Sequence, residues 1–397
     1  MSLGRTRTLA LACVVLLVLT TAACGGGALG SAASAPTTAP TTAAATTAAP
    51  TTAATSATST AAATAASPTT ATTSAATPSA AGSGSVVPLV VYSAQGYDQA
   101  MVDAFQKATG IPTKLVDDST GPLLARIQVE KSNPQWGLLW VDGDEAFAAL
   151  DQQGLLLRND EPSVSWTVNG QSVVPQGQSY VPTGVTIAGA LIYNSQAIPT
   201  PPATWQELTQ PAWKGMVGMN NPSISGPTFP FVAGMMAALG GESAGQQFYT
   251  QLKANGLHVF DTNGVTLNAL KTGQIKLAIV QSSAAIGAAL KDPTLKVAYP
   301  SKVTLLPSVI GIDAKVSAQE QKEAEQFAAF VLSPAGQQVM LNGDKTGDSL
   351  YWPIVSGVSP QAGLPDLTTL PVQTIDPTVW GPKEAEINQW FTQNIVQ

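Results

Sequence analysis

Residues 25–84 contain no charged side chain, no aromatic and no Cys, and consist almost wholly of Ala, Thr, Ser, Gly and Pro. Such a stretch cannot bury enough apolar surface to offset the entropy of ordering the chain. Pro36, Pro40, Pro50, Pro68 and Pro78 interrupt any long Ala-rich helix. The expectation is a disordered tether spanning about 40–45 Å r.m.s. as a flexible coil. Its Thr, Ser and Pro density also suits O-glycosylation. Folding is thereby confined to residues 85–397, long enough for one large or two medium domains with a core.

The first 24 residues read as an export signal. Arg5 and Arg7 supply the positive region and Leu9 to Leu19 a short apolar run. That run is too short to span a bilayer, which takes roughly 20 residues. Thr21-Ala22-Ala23 precede Cys24, a pattern that resembles a bacterial lipobox, with Thr21 where Leu is usual. Cys24 is therefore the expected lipidation site. The expected location is the outer face of the membrane, in the cell envelope.

Composition excludes several functions. The folded part carries 16 Lys and Arg against 25 Asp and Glu, a formal charge of −9. Nucleic acid is not an expected partner, because phosphate neutralisation needs a basic surface. There is one His, His258, and no Cys beyond residue 24. That removes a disulfide framework, a Cys/His zinc site and a Cys nucleophile. No G-x-S-x-G elbow precedes a helix and no phosphate-binding G-x-x-x-x-G-K-[ST] loop occurs. An enzyme is not expected, and neither is a cofactor or a bound metal.

Hydrophobic patterning gives alternating strands and helices. Strands are expected at Val86–Tyr92, Thr113–Val116 and Trp136–Val141, and helices at Asp98–Thr109, Leu123–Lys131 and Asp144–Gln153. Val181–Tyr193 is extended and apolar, and a second α/β set follows to Leu332. Ser317 with Glu320 reads as a capping box, and Ser333-Pro334 as the start of a further helix. The alternation implies a parallel sheet with helices on both faces. Trp136 and Trp140, four apart on the expected strand, are expected on one face in the core.

The segments at 90–116 (VVYSAQGYDQAMVDAFQKATGIPTKLV), 125–143, 190–228, 264–280, 327–341 and 349–358 (SLYWPIVSGV) come in an order that resembles the substrate-binding proteins of ABC importers. In particular they resemble the group containing iron(III)-binding and 2-aminoethylphosphonate-binding proteins. The resemblance implies an α/β fold of the type II periplasmic binding protein kind: two α/β lobes, a hinge and a ligand cleft between them. It divides the chain into a signal peptide (1–24), the tether (25–84), a first lobe (86–182 and 305–345), a second lobe (183–304) and a C-terminal segment packing across the lobes (346–397). Hinge motion is expected near Tyr180–Gly184 and Val303–Pro307. The implied partners are a small-molecule ligand, an ABC permease and the membrane through lipid on Cys24, with the protein a monomer.

Open α/β sheets place ligands beyond the C-terminal ends of strands. The loops there nominate Ser93, Gln95, Ser119, Thr120, Asp142, Ser223, Ser225, Gly226, Thr228, Asn263, Gln281 and Ser282. Several of these open helices, whose N–H groups and dipoles favour an anion. Asp142, with Asp144 and Glu145, could hold an ammonium group or simply begin a solvated helix. Tyr351 is a candidate cleft wall. Asn342, Asp344, Thr346 and Asp348 are spaced faintly like a calcium loop, but Pro353 stands where its bidentate acid belongs. Iron-binding members carry a Tyr pair after the strand that here is Lys276–Val280; this chain reads Gln281-Ser282-Ser283. The expected ligand is therefore small and anionic or zwitterionic, phosphonate-like, phosphate-like or a carboxylate. Ferric iron held by non-standard ligands, or a sensor without a transport role, remain open alternatives.

Overall fold

The computed structural model describes residues 87–158 and 162–397. The leader, Cys24 and the tether lie outside the described residues. Two sheets organise the fold. The first is built from β1 (Leu89–Ser93), α1 (Asp98–Thr109), β2 (Thr113–Asp117), α2 (Thr120–Glu130), β3 (Leu138–Asp142) and α3 (Asp144–Gln152). After a short helix α4 (Val168–Gln171), β4 (Val181–Ile187) leads into the second sheet. That sheet comprises β5 (Ala190–Asn194), β6 (Val217–Asn220), β7 (His258–Phe260), β8 (Leu277–Val280) and β9 (Leu295–Ala298). Helices α5 (Thr228–Ala238), α6 (Glu242–Ala254), α7 (Asn263–Lys271) and α8 (Ser282–Lys291) connect these strands. The chain returns through β10 (Val303–Ile312) to α9 (Ala318–Leu332) and α10 (Pro334–Gly343). It closes with β11 (Val372–Gln373), α11 (Pro377–Trp380) and α12 (Glu384–Phe391).

Strand order is β11-β10-β3-β1-β2 in the first sheet, with β4 also on β10, and β7-β6-β8-β5-β9 in the second. The sheets are mixed rather than parallel. β1 pairs in parallel with β2 and β3, whereas β10 runs antiparallel to both β3 and β4. The cause is the return of the chain: β4 leaves and β10 re-enters along one another. Their ladder extends from Ile187↔Leu305 to Val181↔Ile310, with an irregularity at Ser308/Val309. All of β4 therefore pairs in the first sheet, on both sides of the 182/183 position where the resemblance divides the lobes. β10 likewise begins at Val303, just ahead of the expected 304/305 division.

Period-2 alternation puts each strand's neighbours on opposite faces. Leu138 and Trp140 join Phe105 and Phe327 on one side of the first sheet, and Leu139 and Val141 join Phe147 on the other. Trp136 is buried but sits with Leu139, opposite Trp140, because the strand begins only at Leu138. Both expected caps form: Ser317 Oγ accepts from Glu320 N (3.2 Å), and Ser333 Oγ accepts from Gly336 N (3.1 Å). Gly110 ends α1 in the left-handed region, at φ 74°. β7 and the elements after residue 370 have no strong periodic signal in the sequence.

Tyr351 belongs to this core and not to a cleft wall. It is 2% exposed, donates through its hydroxyl to Gln337 Oε1 (3.0 Å), and packs on Tyr97. A Cβ at Gly184 would stand 2.8 Å from Tyr351 Cε2 and nearer still to Cδ2. Gly184→Ala should lower stability by about 1–3 kcal/mol through overpacking, measured by denaturant unfolding; an unchanged midpoint would contradict this packing.

Candidate functional site

The C-terminal ends of β1, β3 and β8 converge where the two sheets meet. Asp142, the last residue of β3, is 9% exposed. Gln95 Nε2 donates to its Oδ1 (3.1 Å) and Gln281 Nε2 to its Oδ2 (2.9 Å). Gln95 follows β1 of the first sheet and Gln281 follows β8 of the second, so this carboxylate joins the lobes. Gln281 Nε2 also donates to Thr186 Oγ1 (3.2 Å). A second carboxylate, Asp348, accepts from Gly96 N (2.8 Å) and from Ser283 Oγ (3.4 Å).

A cavity of about 180 Å³ opens above them, lined by Ser119, Thr120, Asp142, Ser225, Gly226, Thr262, Asn263, Gly264, Gln281 and Asp348, with Ala94 and Pro227. No Lys, Arg or His lines it. Burial pushes the Asp142 carboxyl up to about 7, and the charge of Asp348 adds to the shift. Burial likewise raises Asp348, aided by Asp344. The two acids thus face a polar space with no positive side chain to balance them.

The remaining walls are helix starts. Ser119, Thr262 and Gln281 are the N-caps of α2, α7 and α8, and none of these caps bonds its own helix through its side chain. The positive ends of three helices therefore border the cavity opposite or beside the acids. Asn220, which the sequence reading passed over, organises one wall: its Nδ2 donates to Asn263 Oδ1 (2.7 Å) and to Ser225 Oγ (3.2 Å).

Of the nominated residues, Ser119, Thr120, Asp142, Ser225, Gly226, Asn263 and Gln281 line the cavity, and Gln95 reaches it through Asp142. The others do not. Ser93 is fully buried and its Oγ accepts from Gln95 N (3.2 Å), shaping the β1 loop. Ser282 Oγ accepts from Ile187 N (3.0 Å) and so satisfies the end of β4. Ser223 turns to the C-terminal helix region, bonding Thr392 Oγ1 (3.1 Å). Thr228 is buried in the first turn of α5. Asp144 and Glu145 are neither solvated nor in the cleft: they are buried at the start of α3, on a separate cavity with Asp151, Tyr180 and Asp376. The calcium-like loop closes on itself, Asp344 Oδ2 accepting from Asp348 N (2.9 Å). Asp348, Thr262, Gly264 and Ser283 were not nominated. Thr262, Gly264 and Ser283 carry only the signal of position at the start of α7 or α8, and Asp348 reads in the sequence only as part of the calcium-like spacing.

The family model for bacterial extracellular solute-binding proteins matches residues 100–371. The chain belongs to this family. It is 23% identical over 262 residues to a protein of Salmonella paratyphi A named as a 2-aminoethylphosphonate-binding periplasmic protein, covering 63% of this chain and 75% of that one. It is 25% identical over 272 residues to the major ferric iron-binding protein of Neisseria meningitidis serogroup B, covering 64% and 79%. The fold matches the periplasmic binding protein AfuA from Actinobacillus pleuropneumoniae, solved with fructose-6-phosphate, at a TM-score of 0.66 and 19% identity over 78% of this chain and 98% of that one. The solute-binding protein described here thus has the two α/β lobes, hinge and interlobe cleft of the type II periplasmic binding proteins, and it works outside the cytoplasm.

An acid whose pKa rises on folding leaves stability intact below its unfolded value near 3.8 and erodes it as pH climbs toward 7. Asp142→Asn should therefore raise ligand-free stability at pH 7.5, by on the order of 1–3 kcal/mol, and should flatten the loss between pH 4 and 7. A variant less stable than wild type at pH 7.5 would show that the carboxylate is compensated.

Proposed function

We propose that this solute-binding protein captures a small zwitterion for an ABC importer, seating a cationic group on Asp142 and Asp348 and an anionic group at the starts of α2 and α7. The observation that carries the reading is the buried Asp142 carboxylate, shared by amides of both lobes and facing a cavity without a positive side chain. A wholly anionic ligand would meet two acids there. An ammonium group would restore the balance that burial upsets. The cavity, about 180 Å³, corresponds to the liquid volume of about six waters. A molecule the size of the zwitterion named for the Salmonella relative fits that space.

In this reading Ser225, Gly226, Asn263 and Thr120 meet the anionic end through hydroxyl, amide and backbone N–H groups. Ligand that touches both lobes only when they are together favours the closed arrangement, which the permease then reads. Lipid on Cys24 holds the protein at the membrane, and the 25–84 tether sets how far the lobes reach. Intact mass of native protein tests the anchor: a mass without lipid would remove it.

Calorimetry tests the ligand class. 2-Aminoethylphosphonate should bind at least tenfold more tightly than ethylphosphonate or ethylamine, each of which lacks one charge. Asp142→Asn should weaken binding by roughly 100-fold, as expected for a buried charge pair losing one partner. Tighter binding of inorganic phosphate, or of ferric citrate, would overturn the zwitterion reading.

A further inference from the structure

Across the mouth of the cavity, the start of α2 touches the loop before α5. Gly121, the second residue of α2, donates its N–H to Ile224 O (3.1 Å). A first-turn N–H has no acceptor within its own helix; this one finds its acceptor on the other lobe. A Cβ at Gly121 would overlap Ser223 O and stand 3.1 Å from Ile224 Cα. On the facing loop, a Cβ at Gly226 would stand 2.8 Å from Thr120 Cβ and overlap Thr120 Oγ1. Neither glycine is among the described residues with positive φ. Backbone conformation therefore does not require glycine at either place, and within a helix Gly is less favourable than Ala by up to about 1 kcal/mol. What requires glycine is the close approach of the lobes.

We propose that Gly121 and Gly226 form a latch that sets how completely the cleft closes, and so act as positioning residues for ligand capture. Gly121 does not line the ligand cavity. Its effect on affinity runs through the fraction of molecules in the closed arrangement, since apparent affinity falls in proportion to that fraction. The Gly121–Ile224 bond is a backbone bond, so no side chain replaces it once a methyl group separates the partners. The proposal rests on capture by closure and is independent of the ligand's charge.

Amide hydrogen exchange on the full chain without ligand reads the latch directly. Gly121 N–H should be protected in the wild type through its bond to Ile224 O. Gly226→Ala should speed its exchange by roughly tenfold or more, with β3 amides unchanged. Replacing Thr120 by Gly in the same variant should restore the protection by returning the lost space. In a second measurement, Gly121→Ala should weaken 2-aminoethylphosphonate binding by about tenfold or more without lowering Tm, because Ala suits the helix better. An unprotected Gly121 amide in the wild type, or protection unaltered by Gly226→Ala, would overturn the latch whatever the ligand proves to be. Failure of 2-aminoethylphosphonate to bind the wild type, with the exchange results as expected, would sink the ligand class and leave the latch standing.

Discussion

The arrangement turns on one buried carboxylate. Asp142 stands at the end of a strand whose residues are all buried, and it is held by an amide from each lobe. Removing a carboxylate from water costs several kcal/mol, and hydrogen bonds from two neutral amides recover only part of that. The residual imbalance appears as the rise of its pKa toward 7, with Asp348 pushing in the same direction. A site with this imbalance favours whatever brings positive charge. One of the two amides, Gln281, comes from the second lobe, so in the proposed reading the same carboxylate ties ligand charge to lobe position.

The rest of the fold supports that geometry. β4 and β10 form one antiparallel ribbon, buried throughout, that enters and leaves the second lobe side by side. The ribbon carries both crossings of the chain between the lobes, and α2 also meets the 221–228 loop through the Gly121–Ile224 bond. The C-terminal segment contacts both sides. Gly381 packs against the backbone of Glu145 in α3, while Phe391 packs on Tyr249 of α6 at 5.3 Å between ring centroids. Near the hinge, Gly189 leaves room for the Phe231 ring.

Much of the fold was legible in the sequence, and the reason is periodicity. The run LLWVD alternates between two cores, and DQAMVDAFQKAT shows one apolar face closed by Gly110, so strand and helix identities followed. Short or weakly patterned pieces were not legible: His258–Phe260 is a strand because β6 offers it an edge, and the pieces after residue 370 depend on lobes already formed. At the site, polar loops after strands pointed to the right region, since seven of the nominated residues line one cavity. Side-chain direction was not readable. Ser93 and Ser282 look like ligand hydroxyls in sequence, yet Ser93 accepts from Gln95 N in its own loop and Ser282 from Ile187 N at the end of β4. Asp348 lies more than 200 residues from Asp142, and only the tertiary fold brings its charge to bear.

In the proposed reading the cleft recognises a cationic group through a carboxylate held partly protonated at neutral pH. Proton linkage measures this directly. Calorimetric titration of 2-aminoethylphosphonate near pH 6.5, in two buffers of different ionisation enthalpy, gives the number of protons exchanged on binding. An ammonium group seated on Asp142 lowers its pKa, so binding should release protons from the protein, and Asp142→Asn should abolish the release. Proton uptake on binding, or an exchange of zero in the wild type, would contradict the account.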